Sequence, residues 1–486
     1  MQKALLLFVI QIILFILNTG IGNSQPSITW QRLYNSCYID IGNDICPADD
    51  GNFFIAAGSI GTNCRGFSIL KINPYGDTIW TTSRDSGGGG PTVSSGDGGC
   101  VTVAGSYPIS VMKLNANGNT VWRRSYSGPN TDLRDIKRTI DGGYILCGSQ
   151  WNVNIDGYAL KIDSVGNLQW GKIYPSLEVK DYYSVEETID GGYIMAGSVY
   201  DAPYGDTTKA IITKIDSVGN IIWEKRFKIV NGASGKFINR INGGYLFAGG
   251  TTESNPNIAV IYFAKIDMYG NLSYTKIFST TQSESFGNMA ILESNKYLLA
   301  ISRDTTTGTN GKVVITDSLG NILQQRIYPG GPYLLLYAIQ PASNGDLLFV
   351  GVWEMYGNNR DDIYVLRTDS ILNAPPIGIK PILNKIPSLF NLSQNYPNPF
   401  NPKTKIRFSI PLIKGGLRGL SVRLIIYDVL GREVASLIPP LWGGQEGFKP
   451  GTYEVEFDGS NFASGIYFYR LIAGDFTETK KMVLLK

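Results

Sequence analysis

The sequence predicts an all-β protein: a seven-bladed β-propeller followed by a small antiparallel β-sandwich. Three observations predict it. An Asp-Gly-Gly turn recurs at Asp50, Asp97, Asp141, Asp190 and Asn242, and more weakly near Ser294 and Asn344, in steps of 47, 44, 49, 52, 52 and 50 residues. A second turn, Lys-Ile-Asp-Ser-x-Gly-Asn in its fullest form, recurs at Asn73, Asn115, Asp163, Asp216, Asp267, Asp317 and Asp369, so both registers count seven. A period of this length with four short strands per copy is that of a propeller blade, whereas solenoid rungs are shorter.

Taken in chain order, the elements begin with Lys3 and an apolar run from Ala4 to Leu17 broken only by Gln11, then a small polar stretch to Ser24. This is signal-peptide anatomy, too short and wrongly flanked for a membrane span, and it places a signal peptide over residues 1–24. No later stretch approaches 18 consecutive apolar residues, so no transmembrane segment is expected after signal removal. Within each repeat, strand a precedes the Asp-Gly-Gly turn, strand b follows it, strand c ends at Lys-Ile-Asp, and strand d carries an aromatic. The d strands share a triplet: Trp122/Arg124/Tyr126, Trp170/Lys172/Tyr174, Trp223/Lys225/Phe227, Tyr274/Lys276/Phe278 and Gln324/Arg326/Tyr328. The same triplet, Trp30/Arg32/Tyr34, stands alone near the N-terminus, while the seventh copy stops at Asn373 without a d strand. The strand from Ile28 to Tyr34 is therefore expected to complete the last blade and remove its exposed edge. The propeller then spans 25–373. Pro375, Pro376, Pro381 and Pro387 disfavour regular structure and predict a linker over 374–393. Beyond it, Ile406, Phe408 and Ile410, and Tyr453, Val455 and Phe457, alternate with polar neighbours as half-buried strands do, and Asp428-Val-Leu-Gly431 reads as a hairpin turn. Residues 394–486 are long enough for a core of their own, as an immunoglobulin-like sandwich.

Composition limits the chemistry. The chain holds no histidine, which excludes Ser-His-Asp and Cys-His catalysis and every histidine-ligated metal or haem. No phosphate loop of P-loop or Rossmann spacing is present, and a net charge of +3 over 486 residues is too small for a nucleic-acid footprint. What remains is carboxylate chemistry of the glycosidase kind, which needs two Asp or Glu about 5–9.5 Å apart. The acids at the repeated turns are accounted for by the turns, where an Asp side chain bonds its own backbone two residues on. That leaves Glu186, Glu187, Glu354, Asp361 and Asp362 as the candidates for catalysis. Asp-Ser-Val-Gly-Asn suggests calcium only in part, because EF-hand spacing and its distal Glu are missing, so no cofactor is expected. Lys71, Lys113, Lys161, Lys214, Lys265 and Arg367 recur before the second turn, with Ile315 the exception, and read as structural ion pairs or solvated strand ends. The repeated d-strand aromatics read as core or inter-blade packing. Of five cysteines, Cys37, Cys46 and Cys64 fall in the first repeat, where one disulfide suits an oxidising compartment.

The blade grammar resembles kelch-type and pyrroloquinoline-quinone-type repeats, but the glycine pair precedes strand b rather than ending it. The C-terminal region carries a closer resemblance. Asn395-Tyr-Pro-Asn-Pro-Phe-Asn401, Lys405-Ile-Arg-Phe-Ser-Ile-Pro411, Leu424 to Val434, Gly451 to Asp458, Ala463 to Gly474 and Lys480 to Lys486 follow one another as in the C-terminal sorting domain of type IX secretion in Bacteroidetes-type bacteria. The resemblance implies export by the type IX machinery to the outer surface or the medium. It places the sorting signal on Gly465, Tyr467, Tyr469, Gly474, Lys480, Lys481 and Lys486. Two functions of different class fit the rest of the chain. One is a non-catalytic surface propeller binding a glycan or a cell-envelope protein. The alternative is a secreted carbohydrate-active enzyme using a carboxylate pair. The absence of histidine and the uniformity of the blades favour the first.

Overall fold

The computed structural model describes residues 29–34, 39–60, 66–84, 89–104, 110–126, 131–151, 154–200, 208–229, 232, 234–252, 259–278, 284–305, 308–328, 333–355, 360–374, 379–383, 387–412, 422–438, 450–459 and 462–485. Among them, the strands from Trp30 to Thr368 group into seven four-stranded antiparallel units. Strand a spans Ile39–Pro47, Gly89–Ser94, Thr131–Arg138, Val179–Glu187, Ser234–Ile241, Glu284–Leu292 and Tyr333–Pro341 in the successive units. Strands b, c and d follow as a meander; in the third unit they are Tyr144–Trp151, Ile155–Ile162 and Leu168–Tyr174.

The seventh unit takes its d strand from the other end of the chain. Trp30–Tyr34 pairs antiparallel with Arg360–Thr368, from Trp30 opposite Arg367 to Tyr34 opposite Ile363. Packing shows the same closure. A core between each pair of neighbouring units joins the apolar residues of one b–c face to the a–b face of the next. An open row of seven units would have six such cores. A seventh exists between the last unit and the first, holding Trp30, Ile45, Ile55, Val350 and Ile363, all nearly inaccessible to water. The units therefore close into a ring.

The d-strand triplets fasten each unit to the c–d turn of the next. Trp80 and Trp170 donate their indole N–H groups to Ala116 O and Ser217 O, at 2.9 and 3.0 Å. Tyr126 and Tyr174 donate to the carbonyls of Gly166 and Gly219 at 2.8 and 3.0 Å, and Lys172 and Lys225 reach Asn220 and Asn271. Trp30, Arg32 and Tyr34 make the same set of bonds to Pro74, Gly76 and Asp77 of the first unit. The turn glycines must be glycine here for two reasons. They take positive φ, and a Cβ on Gly166 or Gly219 would come within 2.9 Å of the Trp122 or Trp170 ring.

The repeated charges are structural. Asp163 Oδ1 accepts the backbone N–H groups of Val165 and Asn167, and its Oδ2 accepts from the Asn167 amide; Asp216, Asp267, Asp317 and Asp369 repeat the pattern. Lys71, Lys161 and Lys214, all buried, pair with the turn acids Asp50, Asp141 and Asp190 at 2.7, 2.8 and 2.6 Å, and Arg367 pairs with Asp346 at 2.9 Å. The fifth unit has Asn242 in place of the acid, and its Lys265 lies over the rings of Tyr274 and Tyr297 instead.

One expectation is corrected. The stretch 374–393 is not linker throughout. Ile379–Leu383 pairs antiparallel with Gly451–Asp458, and Asn391–Leu392 pairs with Lys403–Ile410, in a sheet ordered 379–383, 451–458, 403–410, 391–392. Pro381 is tolerated because this strand lies at the sheet edge, where a missing N–H costs no ladder bond. The second sheet of the sandwich holds Glu433–Ile438, Val422–Tyr427, Gly465–Ala473 and Phe476–Leu484 in that order. One core between the two sheets includes Ile406, Phe408, Val455, Phe457, Tyr469 and Met482. Cys46 is a buried free thiol on strand a of the first unit, packed with Ala56 and Ile69, so a disulfide in the first repeat does not include it. Cys37 and Cys64 lie outside the described residues, as does the signal peptide expected over 1–24. No helix among the described residues is long and apolar enough to cross a membrane.

Candidate functional site

The seven a strands line an axial cavity of about 970 Å³. Each a strand is broken by a β-bulge at the same depth, which leaves one residue without a partner on strand b and turns it toward the axis. The residues skipped by the ladder are Asn43, Arg134, Tyr183, Lys236, Gly287 and Tyr337, with the pair Gly90–Pro91 in the second unit. All of them line the cavity. The residue after the bulge fastens it: Asp44, Asp135 and Asn288 each accept the next backbone N–H through Oδ1 at 2.7–2.9 Å. Strand b must yield to the bulge, and it does so with glycine. A Cβ on Gly148, Gly197, Gly249 or Gly351 would fall within about 2 Å of a carbonyl oxygen of strand a. The scaffold thus repeats around the ring while the residue it presents to the axis does not.

The belt is electrically uneven. Arg134 is held by Asp132 and Asp181, both at 3.0 Å, and its guanidinium lies 4.8 Å from the centre of the Tyr183 ring. Burial alone would lower its pKa, but Asp181 and Asp132 outweigh that and hold it above the usual value. Lys137 pairs with Asp135 at 3.4 Å, and Asp135 holds its pKa high against the effect of burial. Lys236 differs. It forms no ion pair with any described residue, its side chain is exposed to the cavity, and partial desolvation there together with the like charge of Arg134 lowers its pKa.

Asp44 joins the first two units. Its Oδ2 accepts the Thr92 backbone N–H at 2.7 Å, and burial raises its pKa to about 6 despite those bonds. The sign follows from linkage. Between pH 3.8 and about 6 the folded state holds a proton that the unfolded chain has lost, so this residue makes stability fall as pH rises through that window and leaves it level above. Asp44→Asn retains the Oδ1 acceptor and abolishes the ionisation. The stability of Asp44→Asn relative to the parent should therefore increase from pH 4 to 6 and stay constant from 6.5 to 8. Chemical denaturation at several pH values measures this, and a difference independent of pH would refute it.

The acids singled out from the sequence separate into two groups. Glu186 and Glu187 end strand a of the fourth unit beside its a–b turn, where Glu187 Oε2 accepts the Ile140 N–H at 2.8 Å. Glu354, Asp361 and Asp362 flank the b–c connection of the seventh unit, at the opposite end of the strands. Glu354 and Asp361 face one another across the ladder, and burial together with Glu354 raises the Asp361 pKa. Asp362 is buried. No carboxylate pair spans the two groups.

In the sandwich, Tyr469 is fully buried, accepts the Asn395 N–H and donates to Ser393 O, both at 2.8 Å; Tyr467 donates to Ala463 O. Gly465 opens the strand that Gly474 closes, with φ of 60° at the hairpin. Lys480 pairs with Glu478 at 3.1 Å, Lys481 is exposed, and Lys486 lies outside the described residues.

Sequence reasoning missed the belt. A signal existed: Asn43, Gly90, Arg134, Tyr183, Gly287 and Tyr337 each stand seven residues before the a–b turn positions Asp50, Asp97, Asp141, Asp190, Ser294 and Asn344, and Lys236 stands six before Asn242. That position varies in charge and size while its neighbours keep to the repeat.

Residues 394–485 match the family described as the secretion system C-terminal sorting domain. The chain therefore carries a type IX export tail and is secreted or attached at the outer surface of a Bacteroidetes-type bacterium. No curated protein matches the chain. Among solved structures, it is similar to a protein of unknown function from Bacteroides caccae, at 12% identity and a TM-score of 0.34 over 52% of this chain and 94% of that one. A puromycin hydrolase S511A mutant matches at 10% identity and 0.42, over 79% of this chain and 59% of that one. An apocarotenoid oxygenase mutant from Synechocystis matches at 12% and 0.40, over 72% and 95%.

Proposed function

We propose that the protein is a surface-displayed or secreted binding propeller, non-catalytic, whose ligand is a glycan or a cell-envelope protein taken at the axial cavity. One observation carries this reading: a uniform seven-fold scaffold presents, at a single depth, side chains that differ in charge and size from unit to unit. Recognition needs such asymmetry, whereas the repeated turns and ion pairs are fully occupied in holding the ring. The signal peptide over 1–24 starts the chain on its route, and the sorting residues from Gly465 to Lys486 complete it.

A carbohydrate-active enzyme is the second reading, favoured by the facing carboxylates of Glu354 and Asp361. The two are told apart by presenting residues 25–486 with a glycan array and with a panel of soluble polysaccharides under hydrolysis assay. Retention without release of reducing ends is the expected result. Hydrolysis abolished by Glu354→Gln and by Asp361→Asn would establish the enzyme instead.

A further inference from the structure

We infer that the axial cavity takes an anionic saccharide, one bearing carboxylate or sulfate groups, with Lys236 as the counter-charge; this rests on the binding reading above and adds the ligand's chemical class. The argument is a charge assignment. Three bases and three acids line the cavity: Arg134, Lys137 and Lys236, against Asp44, Asp132 and Asp135. Asp132 is bound to Arg134, and Asp135 to Lys137. Asp44 has both oxygens occupied by backbone N–H groups and is protonated more readily than an ordinary carboxyl. Asp181, outside the lining, supplies Arg134 with a second carboxylate. Each acid is thus committed, and Lys236 is left as a cation with no partner among the described residues. Its side chain is exposed to the cavity, and the charge acting on it is the like charge of Arg134, so a bound anion supplies the counter-charge that the described residues do not. Glu186 acts on Lys137 rather than on Lys236.

The rest of the lining selects a saccharide over a bare ion. Tyr183 and Tyr337 occupy belt positions in the fourth and seventh units, and Phe237 follows Lys236, so partly exposed aromatic surface flanks the charge. Aromatic faces suit the C–H surfaces of sugar rings, and Tyr adds a hydroxyl for ring substituents. Gly287 leaves the belt open between Lys236 and Tyr337. The volume is at the upper end of the roughly 300–1,000 Å³ usual for small-molecule sites, which suits a short oligosaccharide better than a single small anion.

The test is calorimetric titration of residues 25–486 with oligogalacturonate, a sulfated oligosaccharide, inorganic phosphate and the carboxyl-reduced neutral oligosaccharide. The acidic saccharides should bind at least about tenfold more tightly than the neutral one, a difference of about 1.4 kcal/mol. Lys236→Met should remove that margin with an unchanged melting temperature, and Lys236→Arg should keep most of it. Binding to the parent should weaken as rising pH deprotonates Lys236, while Lys236→Arg should hold to higher pH. Whichever of carboxylate and sulfate binds more tightly identifies the group recognised. Phosphate binding as tightly as the oligosaccharides would overturn the saccharide assignment. Equal affinity of Lys236→Met and parent, or no retention of any acidic saccharide, would overturn the inference and leave the binding reading standing on other ligands. Cleavage of the acidic saccharide would overturn the non-catalytic reading and leave the charge preference intact.

Discussion

A chain beginning at Asn35 should melt at least 10 °C below one beginning at Gln25. The missing segment contains Trp30, whose side chain is wholly buried in the core between the last and first units. Loss of a buried Phe or Trp side chain costs about 3–5 kcal/mol by itself. The segment also supplies the hydrogen bonds from Trp30, Arg32 and Tyr34 to the first c–d turn, and the Gln31 Oε1 that accepts from the buried Tyr364 hydroxyl at 2.6 Å. Without it, Tyr364 keeps an unsatisfied buried hydroxyl and Arg360–Thr368 becomes an open sheet edge. At about 2.1 cal/mol/K of unfolding entropy per residue, a propeller spanning residues 25–373 shifts by about 1.4 °C per kcal/mol, so the combined loss of about 7 kcal/mol or more is a shift of this size. Trp30→Ala should reproduce about half of it. Trp170→Ala, at the equivalent place in a unit whose chain is continuous, should cost less, because its ring is only partly buried and closure does not depend on it. Differential scanning calorimetry distinguishes these outcomes; equal melting temperatures for the two chains would show that the ring does not depend on this strand.

What the sequence made legible follows from what repeats. The turns were readable because Asp and Gly do the same job in each copy, and the closing strand was readable because its triplet stood without a blade around it. The belt was not, since its residues share a backbone deviation rather than a side chain. The edge strand at Ile379–Leu383 was hidden by Pro381, whose usual meaning inverts at a sheet margin. Leu372 hid in another way. Six c–d turns place glycine at φ of 74–83°, and the seventh places Leu372 at 62°. Left-handed backbone costs a branched or bulky residue about 1–3 kcal/mol. Leu372 offsets this by complete burial in the core between the sixth and seventh units, worth about 1.5–3 kcal/mol, while its carbonyl still accepts the Tyr328 hydroxyl. No local pattern announces an exchange of that kind.

Deleting Gly465 to Lys486 should abolish export and leave the propeller folded. The reason lies in how the two parts are built. The deleted residues form the strand Gly465–Ala473, which sits between Val422–Tyr427 and Phe476–Leu484 in its sheet, together with that last strand. They carry Tyr467, Tyr469, Leu471, Ala473, Met482 and Leu484 into the sandwich core, so the sandwich cannot survive their loss. None of the seven propeller cores uses a residue beyond Ala374. In a host with an active type IX system, the truncated protein should remain in the periplasm, with the melting transition of its propeller unchanged. The deletion removes signal and fold together, so a milder variant separates them. Lys481→Glu alters an exposed residue opposite Phe468 and leaves the core untouched. If the machinery reads the surface of this hairpin, Lys481→Glu should slow export several-fold without unfolding the sandwich, and Lys481→Arg should not. Fractionation of periplasm, outer membrane and medium measures both variants. Normal surface levels of the truncated chain would mean that this tail is not the export signal, and normal export of Lys481→Glu would place the recognised surface elsewhere on the sandwich.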